Sequence, residues 1–179
     1  MTLVLIGPPA AGKSRVGKAL ARRLEIPYID TDSVIVREHG AIAEIFAEHG
    51  EPHFRALERA AVSKALREHA VVSLGGGAVL DPDTQRDLED KLVVLLTVRA
   101  DAVTARIGGG KRPLVSDIDS WQRLADARAD LYASLASFTT DTSHRAVDSI
   151  VDEIADWVTQ AGTQVDTGQA DGRQSKGRS

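Results

Sequence analysis

Eight residues near the N-terminus form the most specific chemical pattern in the sequence. Gly7-Pro8-Pro9-Ala10-Ala11-Gly12-Lys13-Ser14 matches the pattern GxxxxGK[ST] at every fixed position. In such a loop the backbone N–H groups surround phosphate oxygens, and the start of the following helix favours an anion. Lys13 carries charge to the β- and γ-phosphates, and Ser14 offers a hydroxyl to Mg²⁺. An unliganded glycine turn is the alternative, but the apolar run before the motif and the amphipathic pattern after it favour nucleotide binding.

Two carboxylates follow the second apolar run, in the order Asp30-Thr31-Asp32. In a parallel sheet, the end of this strand points toward the side where ligands bind. One carboxylate there can hold Mg²⁺ through water, while the other accepts a proton or a hydrogen bond from an attacking hydroxyl. A helix N-cap is the alternative, because Asp is favoured at that position and the residues that follow look helical.

Three consecutive glycines, Gly75, Gly76 and Gly77, end the third apolar run. Such a run lets a ligand approach the backbone closely and exposes amide donors, although a turn that needs positive φ would also use it. No acidic residue ends this strand, where many P-loop NTPases place a metal-binding Asp. Asp30 is therefore the better candidate for the metal.

Three arginines are candidates for binding an acid: Arg55, Arg112 and Arg128. Arginine pairs with a carboxylate or a phosphate through two parallel hydrogen bonds, which lysine cannot do. Each of them alone is more typical of a solvated surface charge, so spacing does not select these three from the other arginines.

The elements that would position these residues alternate along the chain. Apolar runs without alternation predict buried parallel strands over residues 3–6, 28–29, 71–74 and 92–98. Helical spacing recurs between and after them, at Val16, Leu20 and Leu24; Ile42, Ile45 and Phe46; Phe54, Leu57, Val62 and Leu66; Trp121, Leu124, Leu131 and Leu135; and Ile150, Ile154 and Val158. This alternation predicts an α/β domain, with a parallel sheet flanked by helices.

Composition limits the class of protein. The 179 residues suffice for one domain, which we place at 1–161, with a disordered polar tail over 162–179. The glycine-rich segment 108–118 is predicted to be a mobile loop. A net charge of −4 argues against nucleic acid and membrane surfaces as partners. The absence of cysteine excludes disulfides and thiolate zinc sites, and with no signal peptide or membrane span we expect a cytoplasmic protein.

Taken together, these motifs resemble the shikimate kinase family over roughly residues 2–160. The resemblance rests on the P-loop, the Asp30-Thr31-Asp32 triplet, Phe54-Arg55-Ala56-Leu57-Glu58, Ser73-Leu74-Gly75-Gly76-Gly77, Lys111-Arg112-Pro113-Leu114 and Arg128-Ala129-Asp130-Leu131-Tyr132. It implies a P-loop kinase fold, a five-stranded parallel sheet flanked by helices with a mobile lid. It also implies transfer of the γ-phosphoryl group of ATP to the 3-hydroxyl of shikimate by a monomer that uses Mg²⁺.

The resemblance also implies roles for individual residues. Shikimate would be held by Asp32, Arg55, Gly76, Gly77 and Arg128. The two arginines would pair with its carboxylate, and Asp32 would meet its hydroxyls and act as the base that accepts a hydroxyl proton. Lys13 and Arg112 would stabilise the transferring phosphoryl group, and Mg²⁺ would be held by Ser14 and, through water, by Asp30. Arg106 would lie against adenine, and Arg145 would be a further nucleotide contact. The sequence departs from the family at Asp130, commonly Pro, and at Ala133-Ser134, which replaces a frequent basic pair.

Two other functions remain open from the sequence. Another P-loop metabolite kinase, for gluconate or a nucleoside monophosphate, would need a different acceptor pocket, and Arg55 with the glycine run argues against it. A nucleotide-binding regulator without catalysis is the other, and the joint presence of Lys13, Asp32 and Arg112 argues against that.

Overall fold

A computed structural model describes residues 1–107 and 118–167 of the chain. Its centre is a five-stranded sheet in which every pairing is parallel, in the order β2-β3-β1-β4-β5. The strands are β1 (Leu3–Ile6), β2 (Tyr28–Asp30), β3 (Val71–Ser73), β4 (Leu92–Thr97) and β5 (Phe138–Asp141). The predicted five-stranded parallel sheet is confirmed.

Seven helices join and cover the strands of the described chain. They are α1 (Lys13–Leu24), α2 (Thr31–His39), α3 (Ile42–Ala65), α4 (Pro82–Leu88), α5 (Ala100–Ile107), α6 (Ile118–Leu135) and α7 (Val147–Thr167), with a short 3-10 helix over Ala78–Leu80. A parallel pair of strands needs a crossover connection, and helices supply it here.

The core has two layers, one on each face of the sheet. Alternate residues of β1 divide between them: Leu3 and Leu5 pack with α1 and α7, while Val4 and Ile6 pack with α3, α4 and α6. All four side chains are at most 1% exposed. Because both faces are covered, the strand is apolar at every position rather than at every second one.

Local signals set several helix boundaries. Asp30 caps α2 by accepting a hydrogen bond from the Ser33 backbone N–H, and Asp81 caps α4 through Thr84 N–H. Gly50, with φ 80°, breaks α3 into two helical parts. The two separate helical patterns in the sequence thus correspond to the two halves of α3.

Some elements have no clear residue pattern. β5 reads Phe-Thr-Thr-Asp and lies at the edge of the sheet, where one polar face is tolerated, while α4 has only seven residues. The boundary between domain and tail at residue 161 stays a prediction, and α7 runs on to Thr167. The sequence beyond residue 161 is polar and has no apolar periodicity, so it contains no signal for a helix. The remainder of the predicted tail lies outside the described residues.

The topology brings the candidate residues to one edge. Residues 7–12 leave β1, Asp30 ends β2, and the glycines follow β3, and these three strands are neighbours. Within residues 1–107 and 118–167, no helix combines the length and apolar character needed to cross a membrane.

Candidate active site

The loop between β1 and α1 has a backbone that its glycines make possible. Gly7 has φ 138° and Gly12 has φ 88°, both in the region that disfavours other residues. A Cβ on Gly7 would collide with the backbone carbonyl oxygen of Leu96 on β4. Gly12 is the N-cap of α1 and presents no side chain there. The loop therefore brings its backbone and the start of α1 to the place where a phosphate would bind.

Lys13 lies over this loop. Its Nζ donates hydrogen bonds to the carbonyl oxygens of Gly7 at 2.7 Å and Pro8 at 3.0 Å. The ammonium group is thus already at the rim of the phosphate cradle, where a γ-phosphate would meet it.

Arg106, at the end of α5, reaches the same loop. Its Nη1 donates to the carbonyl oxygen of Ala10 at 2.8 Å, and its Nη2 donates to the carbonyl oxygen of Thr142 at 2.5 Å. The Thr142 hydroxyl in turn donates to the carbonyl oxygen of Ala11 at 2.8 Å. Arg106 of α5 and Thr142, directly after β5, are therefore tied to the phosphate loop, and the role of Arg106 against adenine stays a prediction.

Arg145 is held differently from Arg106. Its Nη2 donates to Glu153 Oε2 on α7 at 2.6 Å, and its Nη1 donates to Thr140 Oγ1 on β5 at 2.9 Å. The role of a nucleotide contact stays a prediction for Arg145. Arg112, for which a catalytic role is predicted, and residues 108–117 of the predicted lid lie outside the described residues.

Ser14 and Asp30 form the candidate magnesium site. Ser14 Oγ donates to Asp30 Oδ2 at 2.8 Å, and the Tyr28 hydroxyl donates to the same oxygen at 3.1 Å. Burial, and then the charge of Asp30, raise the pKa of Tyr28 to about 12, which keeps the hydroxyl a donor at neutral pH. Asp30 also caps α2 through its other oxygen, so the helix-cap and metal alternatives are compatible with each other.

The donor set fits Mg²⁺. A hydroxyl and a carboxylate oxygen are ligands that Mg²⁺ accepts, and the ion usually keeps several waters and binds substrate phosphates. Among the residues that the structure describes, no cluster of three acidic or histidine side chains forms an all-protein cage. Such a sparse site matches a metal that arrives with a nucleotide.

Asp32 and Glu58 meet beside Gly75. A Cβ on Gly75 would lie 2.6 Å from Asp32 Oδ1 and 2.9 Å from Glu58 Oε1, so only glycine leaves room for the two carboxyl groups. Burial, then the charges of Asp30 and Glu58, raise the pKa of Asp32 to about 6. Burial also raises the pKa of Glu58, although the hydrogen bond and charge of Arg55 oppose this. A carboxylate with a pKa near neutrality suits proton acceptance.

The next two glycines meet the candidate arginines. A Cβ on Gly77 would lie 2.9 Å from Arg55 Nη2. On the neighbouring residue, the carbonyl oxygen of Gly76 accepts hydrogen bonds from Arg128 Nη1 at 3.0 Å and the Tyr132 hydroxyl at 2.6 Å. Arg55 of α3 and Arg128 of α6 thus flank one short backbone segment, together with Asp32.

Arg55 is held by two carboxylates. Its Nη1 donates to Glu58 Oε2 at 2.6 Å, and its Nη2 donates to Glu51 Oε1 at 3.1 Å. The Glu58 side chain is 5% exposed and that of Glu51 is 62% exposed. The buried pair fixes the guanidinium, while the solvated Glu51 is the partner that an incoming carboxylate would replace.

Sequence reasoning assigned no role to several residues of this site. Glu58 had a signal, since its i,i+3 spacing from Arg55 on a helix is typical of an ion pair. Tyr132 appeared only within the family motif around Arg128, and Trp121 had only core-like spacing, although its indole N–H donates to the carbonyl oxygen of Pro9 at 2.8 Å. These are contacts between distant segments, which a sequence pattern does not report.

Comparisons with known proteins point in one direction. A family model described as shikimate kinase matches residues 9–159. The chain is 42% identical to a shikimate kinase of Streptomyces avermitilis over 159 residues, covering 86% of this chain and 93% of that protein. It is 43% identical to one of Saccharopolyspora erythraea over 162 residues, covering 87% and 93%.

Solved structures agree with this. A structure described as shikimate kinase from Acinetobacter baumannii in complex with shikimate has a TM-score of 0.83 and 29% identity, covering 89% of this chain and 93% of that one. A gluconokinase from Sinorhizobium meliloti has a TM-score of 0.68 at 16% identity, covering 94% and 97%. The second likeness shows a shared fold alone.

Proposed function

The chain belongs to the shikimate kinase family, and from that premise we propose that it transfers the γ-phosphoryl group of ATP to the 3-hydroxyl of shikimate. The product would be shikimate 3-phosphate, on the route to aromatic amino acids. The observation that carries the proposal is the convergence of Asp32, Arg55 and Arg128 on Gly75–Gly77, beside a complete phosphate loop. A cyclic acid with several hydroxyls needs this combination of cations and hydrogen-bond acceptors.

The phosphate loop would supply electrostatic stabilisation. Phosphoryl transfer demands little covalent chemistry from the protein, so positioning and charge dominate. Lys13 would leave the carbonyl oxygens of Gly7 and Pro8 to meet the transferring group, and the family resemblance gives Arg112 the same task.

Ser14 and Asp30 would hold Mg²⁺, Ser14 directly and Asp30 through water. When bound, the ion neutralises phosphate charge and fixes the phosphate geometry. Tyr28 holds the Asp30 carboxylate in place for this role.

The acceptor would lie along the glycine run. Arg55 and Arg128 pair with its carboxylate, because the guanidinium fork matches two carboxylate oxygens. Asp32 accepts a hydrogen bond from the reacting hydroxyl and, with a pKa raised to about 6, can take its proton at neutral pH. The Gly76 and Gly77 backbone meets the remaining hydroxyls.

The test is ATP consumption by the purified protein with shikimate, gluconate or a nucleoside monophosphate as acceptor. We expect turnover with shikimate and with neither of the other two acceptors. Lys13→Ala should lose nearly all of this activity while its fold stays intact. Lys18→Ala, at an exposed position of the same helix, is the matched control and should behave like the wild type. Turnover with another acceptor and not shikimate would assign a different metabolite kinase, and nucleotide binding without turnover would assign a regulator. Sedimentation would test the predicted monomer.

A further inference from the structure

Thr31 lies between the two candidate carboxylates and is itself fully buried, with 0% exposure. Its hydroxyl donates a hydrogen bond to the Ser73 carbonyl oxygen at 3.3 Å and accepts one from the Gly75 backbone N–H at 3.2 Å. A single side chain thus satisfies two backbone groups of another segment.

These bonds extend the sheet beyond its last paired residues. The pairing of β2 with β3 ends at Asp30 and Ser73, because the chain enters α2 at Thr31 and its backbone leaves the sheet. The Thr31 hydroxyl takes over where the backbone pairing stops. It thereby fixes the start of α2 to the first residue of the glycine run.

Gly75 is a position where small shifts matter. The Asp32 and Glu58 oxygens lie so near its Cα that a methyl group there would not fit. The carbonyl oxygen of the next residue, Gly76, accepts hydrogen bonds from Arg128 and Tyr132. The glycine run is therefore held at Gly75 by Thr31 and at Gly76 by α6.

We propose that Thr31 is a positioning residue for the acceptor: its hydroxyl holds Gly75, and through it the spacing of Asp32 and the Gly76–Gly77 backbone that the acceptor hydroxyls meet. The proposal rests on the function proposed above. Loss of the hydroxyl would leave a buried N–H without its partner, which costs more than the hydrogen bond itself. The glycine run would then move to pair that N–H elsewhere.

Two substitutions separate the hydroxyl from the packing. Thr31→Val keeps the branched shape and removes the hydroxyl, whereas Thr31→Ser keeps the hydroxyl and removes a methyl group. We expect kcat/KM for shikimate to fall about tenfold in Thr31→Val, mainly through KM, with KM for ATP within about twofold of wild type. Thr31→Ser should recover most of the loss.

Thr84→Val is the matched control. Thr84 is also buried, at 1% exposure, and its hydroxyl has no partner within the described part of the chain. Thr84→Val should leave the KM for shikimate and the KM for ATP unchanged. If Thr31 had a purely structural role, Thr31→Val would have a lower thermal midpoint and a lower kcat, with both KM values unchanged. If the packing of the methyl group were what matters, Thr31→Ser would be more damaged than Thr31→Val.

The outcomes are distinct. If the wild type is active with shikimate and Thr31→Val matches it, or if Thr31→Ser is the more damaged variant, the positioning role is wrong and the proposed function stands. If the wild type shows no shikimate-dependent ATP consumption, both proposals are wrong.

Discussion

The carboxyl group of Asp32 lies where its charge is disfavoured. Burial and the neighbouring charges of Asp30 and Glu58 raise its pKa to about 6, against an ordinary value of 3.8. A phosphotransferase that needs a proton acceptor near neutrality gains from this arrangement, but the ligand-free fold is less stable for it. Sites that hold strained or desolvated groups commonly lower stability in this way.

The sign and the pH range of this loss of stability follow from the raised pKa of Asp32. A carboxyl group whose pKa rises on folding destabilises the folded protein when it is ionised. The loss of stability is therefore absent below about pH 3.8 and complete above about pH 6. Asp32→Asn should therefore stabilise the metal-free, ligand-free protein by on the order of 1–3 kcal/mol at pH 7.5. Urea unfolding across pH 7.5 to 4.5 measures the gain, which should shrink as the pH falls.

An exposed position supplies the control for this measurement. Asp156→Asn, on the solvent side of α7, should leave the unfolding free energy nearly unchanged at every pH. A gain in Asp32→Asn that does not depend on pH, or a loss of stability, would show that ionisation of Asp32 is not what destabilises the fold.

Sequence alone predicted the residues that belong to contiguous motifs. Lys13, Asp30 and Asp32 follow strand ends, and a strand end is readable from a short apolar run. Thr31 accepts a hydrogen bond from Gly75, which lies 44 residues away along the chain, and Glu58 lies beside the same glycine. Their roles depend on how β3 lies beside β2, and no local pattern contains that information.

At the scale of elements, α6 joins the two halves of the site. Trp121, near its start, donates to the Pro9 carbonyl oxygen of the phosphate loop. Arg128 and Tyr132, two and three turns further on, donate to Gly76 at the end of β3. Pro9 itself lies 3.4 Å from where a Cβ on Gly76 would be, so one helix holds two loops that touch.

Trp121→Phe tests this joining role. The substitution keeps an aromatic ring in the core and removes the N–H that Pro9 accepts, so the phosphate loop loses a tie to α6. We expect KM for ATP to rise a few-fold, with a stability loss of about 1–2 kcal/mol. Steady-state kinetics and thermal unfolding measure the two effects.

The second tryptophan of the chain is a matched control. Trp157 stacks on Phe138 with ring centroids 5.0 Å apart, in the layer formed by α1 and α7. Trp157→Phe should lower stability without changing either KM. If the KM for ATP is the same in Trp121→Phe as in Trp157→Phe, the Trp121 hydrogen bond has no part in nucleotide binding.

Elements differ in how far the sequence predicts them. β1, β3 and β4 are covered on both faces and are apolar except at Ser73 and Thr97, and such a run is the pattern that identifies a buried strand. β5 has one side chain in four buried, so its sequence is indistinguishable from a loop. It is fixed by its pairing with β4, which is a tertiary contact.

At the scale of the molecule, the two substrate sites share a sheet edge but draw on different elements. Under the proposed function, the phosphate loop and α1 would bind ATP, while α2, α3, the glycines after β3 and α6 would bind shikimate. Ligands that bind only the folded state raise its stability by an amount set by their concentration relative to Kd. Thermal unfolding of the whole chain therefore reports each site separately.

We expect two active-site variants each to lose the thermal shift caused by a different ligand. At 100 times Kd, Mg-ATP or shikimate alone should each add about 2.7 kcal/mol, a shift of about 5–10 °C in a chain of this size. Lys13→Ala should lose most of the shift caused by Mg-ATP at the same concentration and keep that caused by shikimate. Arg55→Lys keeps the charge but loses the guanidinium fork, so it should lose most of the shift caused by shikimate and keep that caused by Mg-ATP. Lys18→Ala and Arg37→Lys, both at exposed positions, should keep both shifts. If either active-site variant loses both, the sites are not separable in the ligand-free protein, and the assignment of Lys13 and Arg55 to different substrates is wrong.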